Sequence, residues 1–149
     1  MDRFAMRLEM GYLPVDSEVA MLTDQQERHP LTTIGACATV AEVVAWRRRL
    51  ATVRIGEAVK RYVVELVGAT RVASGVKLGA SPRASLALMK CGQALAVFDG
   101  QEYVLPDYIR ELAIPVIAHR LVLDPQAQFS GRTGETVVRE ILERLPVPV

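Results

Sequence analysis

Apolar residues recur at helical spacing all along this sequence and at strand spacing in a single stretch. A helix with one apolar stripe must bury it, and with no sheet to lie on it packs against other helices. The stripe is clearest in "EAVKRYVVELVGATR", where Val59, Tyr62, Val63, Leu66 and Val67 share one face. It returns in a helix predicted over 135–145, with Val137, Val138, Ile141, Leu142 and Leu145. The exception lies at the start, where Phe4, Met6, Leu8 and Met10 alternate with Ala5, Arg7 and Glu9. A period of two describes a half-buried strand, but one strand has no ladder of its own. The expected fold is all-α: a compact bundle of five to six helices, with an N-terminal orphan strand and minor short strands. That strand reads as the end of a longer unit lying upstream.

The remaining helices are placed by their end signals. After the turn "GYLPVD", Asp16 or Ser17 can cap a helix running to about Gln26. "ERHPLTTIGACA" has no periodicity and reads as a loop. Thr39 and Glu42 have capping-box spacing, and the helix after them should turn Val40, Val43, Val44 and Leu50 inward. "TVRI" and "EYVL" are short extended pieces, and "VASGVKLGA", with its glycines, reads as a loop. Ser81 caps the next helix and Pro82 takes its first position, where a missing amide costs nothing. That helix runs to about Asp99 and stops at Gly100. Pro106 and Asp107 start another, with a kink expected at Pro115.

Totals exclude several classes of function. With 149 residues and a net charge of +1, the chain suits one domain and carries no global field to recruit nucleic acid or a membrane surface. No apolar run is long enough to span a bilayer. Cys37 and Cys91 are far apart and lack metal-ligand spacing, which reads as two reduced thiols in a cytoplasmic protein. His29 precedes a proline in a loop. It reads as a surface residue; His119 sits late in a helix, where a cation is favoured, and reads as structural. There is no nucleophile motif and no phosphate-cradling glycine loop ending in lysine and serine or threonine. No metal site is expected. Arg47, Arg48 and Arg49 spread around a helix and have no aromatic platform, so they read as a solvated helix end rather than a nucleic-acid patch.

Three arginines remain. Arg3 lies at the entry to the first strand. Arg71 ends a helix in "GATR", where a cation is favourable in itself. Arg83 occupies the first turn of the helix capped by Ser81, where the local field disfavours a cation and attracts anions. An arginine there is either incidental or held for an anion, to which it offers a planar fork.

"DRFAMRLEMGY", "GATR", "LGASPRASLALMKCGQALAVFDGQEYVLPDYI" and "IPVIAHRLVL", in that order, resemble the C-terminal part of the MoxR family of AAA+ ATPases over nearly the whole chain. "GASPRAS" followed by "YVLPDYI" and "HR" is a specific combination, although any one piece is weak. The resemblance implies that residues 1–13 are the incomplete end of the AAA+ core, with its last strand over 1–10. It makes residues 14–149 the helical lid. Arg3 of "DRF" matches the arginine finger, which reaches a neighbouring subunit's nucleotide. Arg83 of "SPR" matches the sensor-2 arginine, with Ser81, Pro82 and Arg71 as weaker nucleotide-site candidates. AAA+ proteins of this branch carry an extra helix before sensor 2 and a rotated lid. Two placements therefore stay open for Arg83, at its own subunit's nucleotide or the neighbour's. Gln101 stands where the family usually has arginine, Leu13 intervenes before Pro14, and Tyr108 stands where aspartate is commoner. None of these departures touches Arg3 or Arg83.

The function implied is that of a lid in an oligomeric ATPase that remodels or assembles partner proteins. The full-length protein would use ATP and magnesium, its partners being neighbouring subunits of a homo-oligomeric ring and an unidentified client. Alone, this chain should not hydrolyse ATP, because the Walker A and Walker B motifs are absent from its sequence. The alternative is a helical protein-interaction module without enzymatic role, in which Arg3 and Arg83 are structural.

Overall fold

A computed structural model describes residues 3–27 and 29–148. Seven α-helices appear among them: α1 (Val15–Glu27), α2 (Val40–Thr52), α3 (Glu57–Ala69), α4 (Pro82–Phe98), α5 (Pro106–Ile117), α6 (Pro125–Phe129) and α7 (Gly134–Arg144). Two strands, β1 (Val76–Leu78) and β2 (Val122–Leu123), pair antiparallel. The expectation of an all-α bundle holds.

The chain divides into two compact units, one of residues 8–46 and one of the described residues before 8 and after 46. In the larger unit α4 packs on α3 and α5, and α7 packs on α5. All five apolar residues read from the α3 sequence are buried, Leu66 and Val67 completely. They meet Ala84, Leu88 and Ala96 of α4, Ile109, Ala113, Val116 and Ile117 of α5, and Val138 of α7 in one core. Gln93 is the buried polar residue of α4, and its amide donates to the Val53 carbonyl at 2.9 Å. This bond fixes the segment between α2 and α3. There Arg54 and Tyr103 form a single parallel bridge, so "TVRI" and "EYVL" are one contact rather than strands.

The smaller unit holds α1, a 3-10 turn (Pro30–Thr33) and the start of α2. Its capping box forms as expected: the Glu42 carboxylate accepts from the Thr39 amide at 2.7 Å, and the Thr39 hydroxyl accepts from the Glu42 amide at 3.2 Å. The inward stripe on α2 does not. No α2 residue is buried, and Val40, Val43 and Val44 are exposed. A unit of about 40 residues has too little surface to enclose a core.

Two further expectations are corrected, and one helix is not anticipated by the sequence. Arg3–Ala5 is a turn and bend, and residues 6–10 form no strand. Their alternation matches an extended chain, but nothing among the described residues completes a ladder with them. Met1 and Asp2, where that strand was expected to begin, lie outside the described residues. The loop expected in "VASGVKLGA" contains β1, because pairing with residues 122–123 supplies hydrogen bonds that no local pattern announces. Helix α6 escapes notice because five residues show no full period.

Candidate functional site

Two turns converge on one side of the larger unit. The first opens α4. The Ser81 hydroxyl accepts from the Arg83 amide at 3.3 Å and Pro82 sits at the first helical position, so the helix starts where its sequence predicts. Ala80, just before the cap, is pinned to the end of α3. Its amide donates to the Thr70 hydroxyl at 3.0 Å, and its carbonyl accepts from Arg71 Nε at 3.0 Å. Thr70 is fully buried and passes its own hydrogen to the Val67 carbonyl at 2.6 Å. Gly79 lies so close to this corner that a Cβ there would sit 2.6 Å from Arg71 Cα. The start of α4 is thus referenced to the C-terminus of α3.

The second turn follows α5. Pro115 lies inside that helix, which gives way after Ile117 to a 3-10 turn, Ala118–Arg120. Carbonyls in the last turn of a helix need partners from outside the helix ladder. The Pro115 carbonyl accepts from the Arg7 amide at 2.8 Å and lies 3.1 Å from His119 Nδ1. The Val116 carbonyl accepts from Arg120 Nε at 2.7 Å. Arg120 is buried, and its terminal nitrogen donates to the carbonyls of Phe4 at 2.6 Å and Ala5 at 3.2 Å. His119 Nε2 is 3.3 Å from the same Phe4 oxygen. Residues 4–7 are thereby fastened to the end of α5.

Between the two turns is an open depression of about 500 Å3, lined by Arg3, Ala5, Arg83, Ala87 and Arg120. Ala87 stands one helical turn after Arg83, on the same face of α4. Alanine at positions 5 and 87 leaves room between the guanidinium groups. Three such groups around one depression favour an anion there, and the planar fork of arginine matches phosphate. Among the described residues the lining holds arginine and alanine and no carboxylate, so these groups suit the phosphate end of a nucleotide rather than magnesium. No group of three histidine, cysteine, aspartate or glutamate residues able to hold a metal occurs among the described residues. Nearby, burial raises the pKa of the Cys91 thiol above its ordinary value, while the charge on Arg120 pulls it the other way.

The fold brings Arg3 and Arg83, far apart in sequence, to the same depression. Ser81 and Pro82 shape the helix start, and Arg71 is turned to the Ala80 carbonyl. His29 is exposed, as a surface residue should be, with its Nδ1 accepting from the Leu31 amide, and His119 meets main-chain carbonyls in the structural role expected of it. Arg120 is the residue that sequence reasoning misses. Its signal is a lone cation inside the apolar run "IAHRLVL". Among the described residues no helix is long and apolar enough to cross a membrane.

Comparison with known proteins concerns the family and the fold. A family model described as the AAA lid domain matches residues 68–141. The chain is 40% identical over its whole length to the uncharacterized protein YeaC of Bacillus subtilis, and covers 47% of it. It is 31% identical over 99% of its length to the chaperone MoxR1 of Mycobacterium tuberculosis, and covers 41% of that protein. It spans less than half the length of each. A candidate ATPase from Cytophaga hutchinsonii has a crystal structure that superposes with a TM-score of 0.89 at 29% identity, over 99% of this chain and 48% of the other. The chain belongs to the MoxR family of AAA+ ATPases and carries its lid domain.

Proposed function

We propose that this lid serves ATP hydrolysis in an oligomeric ring, with Arg3 as an arginine finger acting on a neighbouring subunit's nucleotide and Arg83 as the sensor-2 arginine. The observation that carries the reading is that both side chains line one depression although they lie far apart in sequence. Charge develops on the phosphoryl group during transfer, and a fixed guanidinium stabilises that state more than the ground state. Sharing a depression with Arg3 favours the trans placement for Arg83, with both arginines meeting the same phosphate. ATP and magnesium belong to the longer assembly: the arginines here fit phosphates, and magnesium needs carboxylates from elsewhere. One relative is named a chaperone, which supports remodelling or assembly of a client protein; the ring and a cytoplasmic setting complete the proposal.

In an assembled ATPase carrying this lid, Arg83→Ala should cut ATP turnover by tenfold or more, with roughly a thousandfold as the scale known for arginine fingers elsewhere. Phosphate release by the assembled ring is the assay. Turnover within a factor of two of the parent, with the oligomer intact, removes Arg83 from the site.

A further inference from the structure

We propose that Arg120 is the positioning residue that sets Arg3 beside Arg83. Arg3 belongs to a turn with no sheet neighbour among the described residues, so its place depends on what holds the four residues after it. Arg120 holds them from within the fold. Its Nε is anchored on the Val116 carbonyl at 2.7 Å, and the other end of the same rigid plane takes the Phe4 and Ala5 carbonyls. A guanidinium does this because its donors point in fixed directions from one flat group; lysine offers a single compact head. The accepting oxygens are main-chain, so the clasp acts on backbone position directly. The Arg7 amide on the Pro115 carbonyl at 2.8 Å closes the segment from its other side. Arg120 lines the depression as well, so one residue both fixes Arg3 and adds positive charge next to the proposed phosphate position. The two ligand arginines then move as one body.

This assignment rests on the phosphate reading of Arg3 and Arg83 for its purpose, but the clasp can be judged separately. The test is amide hydrogen exchange and NMR titration with inorganic triphosphate, on the 149-residue chain and its Arg120→Lys variant. In the parent chain the Arg7 amide should exchange at least tenfold slower than in an unstructured peptide, and Arg120 guanidinium protons should show contacts to Ala5. In Arg120→Lys, Arg7 exchange should rise tenfold or more while the Leu66 amide is unchanged. Triphosphate should shift the Arg7 and Arg83 amides of the parent chain with one apparent Kd. In the variant the Arg83 shift should persist with a Kd weaker by about tenfold, the scale of one charged hydrogen bond, and the Arg7 shift should vanish. Because lysine keeps the charge, that loss reports position. Unchanged Arg7 exchange in the variant, or joint titration that survives in it, overturns the proposal. So does an unprotected Arg7 amide in the parent chain, which decides the matter if the variant does not fold. No shift at either amide counts against the phosphate reading, and the clasp then stands or falls on exchange alone.

Discussion

Replacing Gly79 by alanine tests whether the start of α4 is set by its contact with the end of α3. Gly79 is not among the glycines with positive φ, so alanine meets no torsional obstacle there. The obstacle is contact. The new Cβ would lie 2.6 Å from Arg71 Cα, 2.7 Å from Arg71 N and 2.8 Å from Thr70 C, all backbone atoms. Carbon atoms rest at about 3.5 Å, so the two segments must part by most of an ångström. Overpacking of this kind costs about 1–3 kcal/mol. The same shift stretches the Ala80–Thr70 bond and strands a buried donor, a penalty of about 1–3 kcal/mol. One movement produces both, so they overlap, and the expected loss is about 2–4 kcal/mol. With a urea slope of about 1.5 kcal/mol/M, the unfolding midpoint should fall by roughly 1–3 M. Gly100→Ala is the control. Its φ is 69° and a Cβ there would meet nothing, so only backbone strain of about 1 kcal/mol is at stake. A Gly79→Ala midpoint at or above that of Gly100→Ala would refute the close-approach argument.

Two further outcomes follow from local chemistry. The Glu42 carboxylate accepts from the Thr39 amide and hydroxyl, the amide being the larger influence, and its pKa is lowered. Whatever that cap adds to α2 is therefore present above the ordinary glutamate range and is lost as pH falls through the lowered value. A carbon-detected NMR titration should show Glu42 below the ordinary glutamate value, and Thr39→Ala should move it only part of the way back. A Glu42 value unmoved by Thr39→Ala contradicts this. The two thiols should differ as well: Cys37 is exposed, whereas burial raises Cys91. Timed alkylation at pH 8 followed by mass mapping should label Cys37 several-fold faster, because only the thiolate reacts. Equal rates would place Cys91 at the surface.

What the sequence shows, and what it hides, divides by the range of the interaction. The face of α3 is legible because five apolar residues repeat at 3.6-residue spacing on a helix that truly faces the core. Ser81, Pro82 and Gly100 are legible because capping is chemistry among near neighbours. The stripe on α2 is equally regular and misleads, since a pattern says which face is apolar and not whether anything covers it. Strands β1 and β2 are hidden because each takes its hydrogen bonds from the other, across more than forty residues. For the site, the motif around Arg83 marks the residue and the resemblance supplies a role. Its meeting with Arg3 is a product of tertiary structure. Arg120 goes unnoticed beside His119, since helix-end cations are common and the carbonyls it serves lie at the opposite end of the chain.

The position of Arg83 at the head of α4 has a mechanical consequence. α4 has 17 residues and is therefore about 25 Å long. Its first turn is pinned at Ala80 and its last residue, Phe98, is exposed. Between those two ends Ala84, Leu88 and Ala96 are buried against the core and Gln93 ties the helix to the Val53 carbonyl, so α4 is a stiff strut rather than a free arm. A shift imposed on its first turn at the depression could not be absorbed locally, and would have to be carried as a rigid-body displacement towards Phe98.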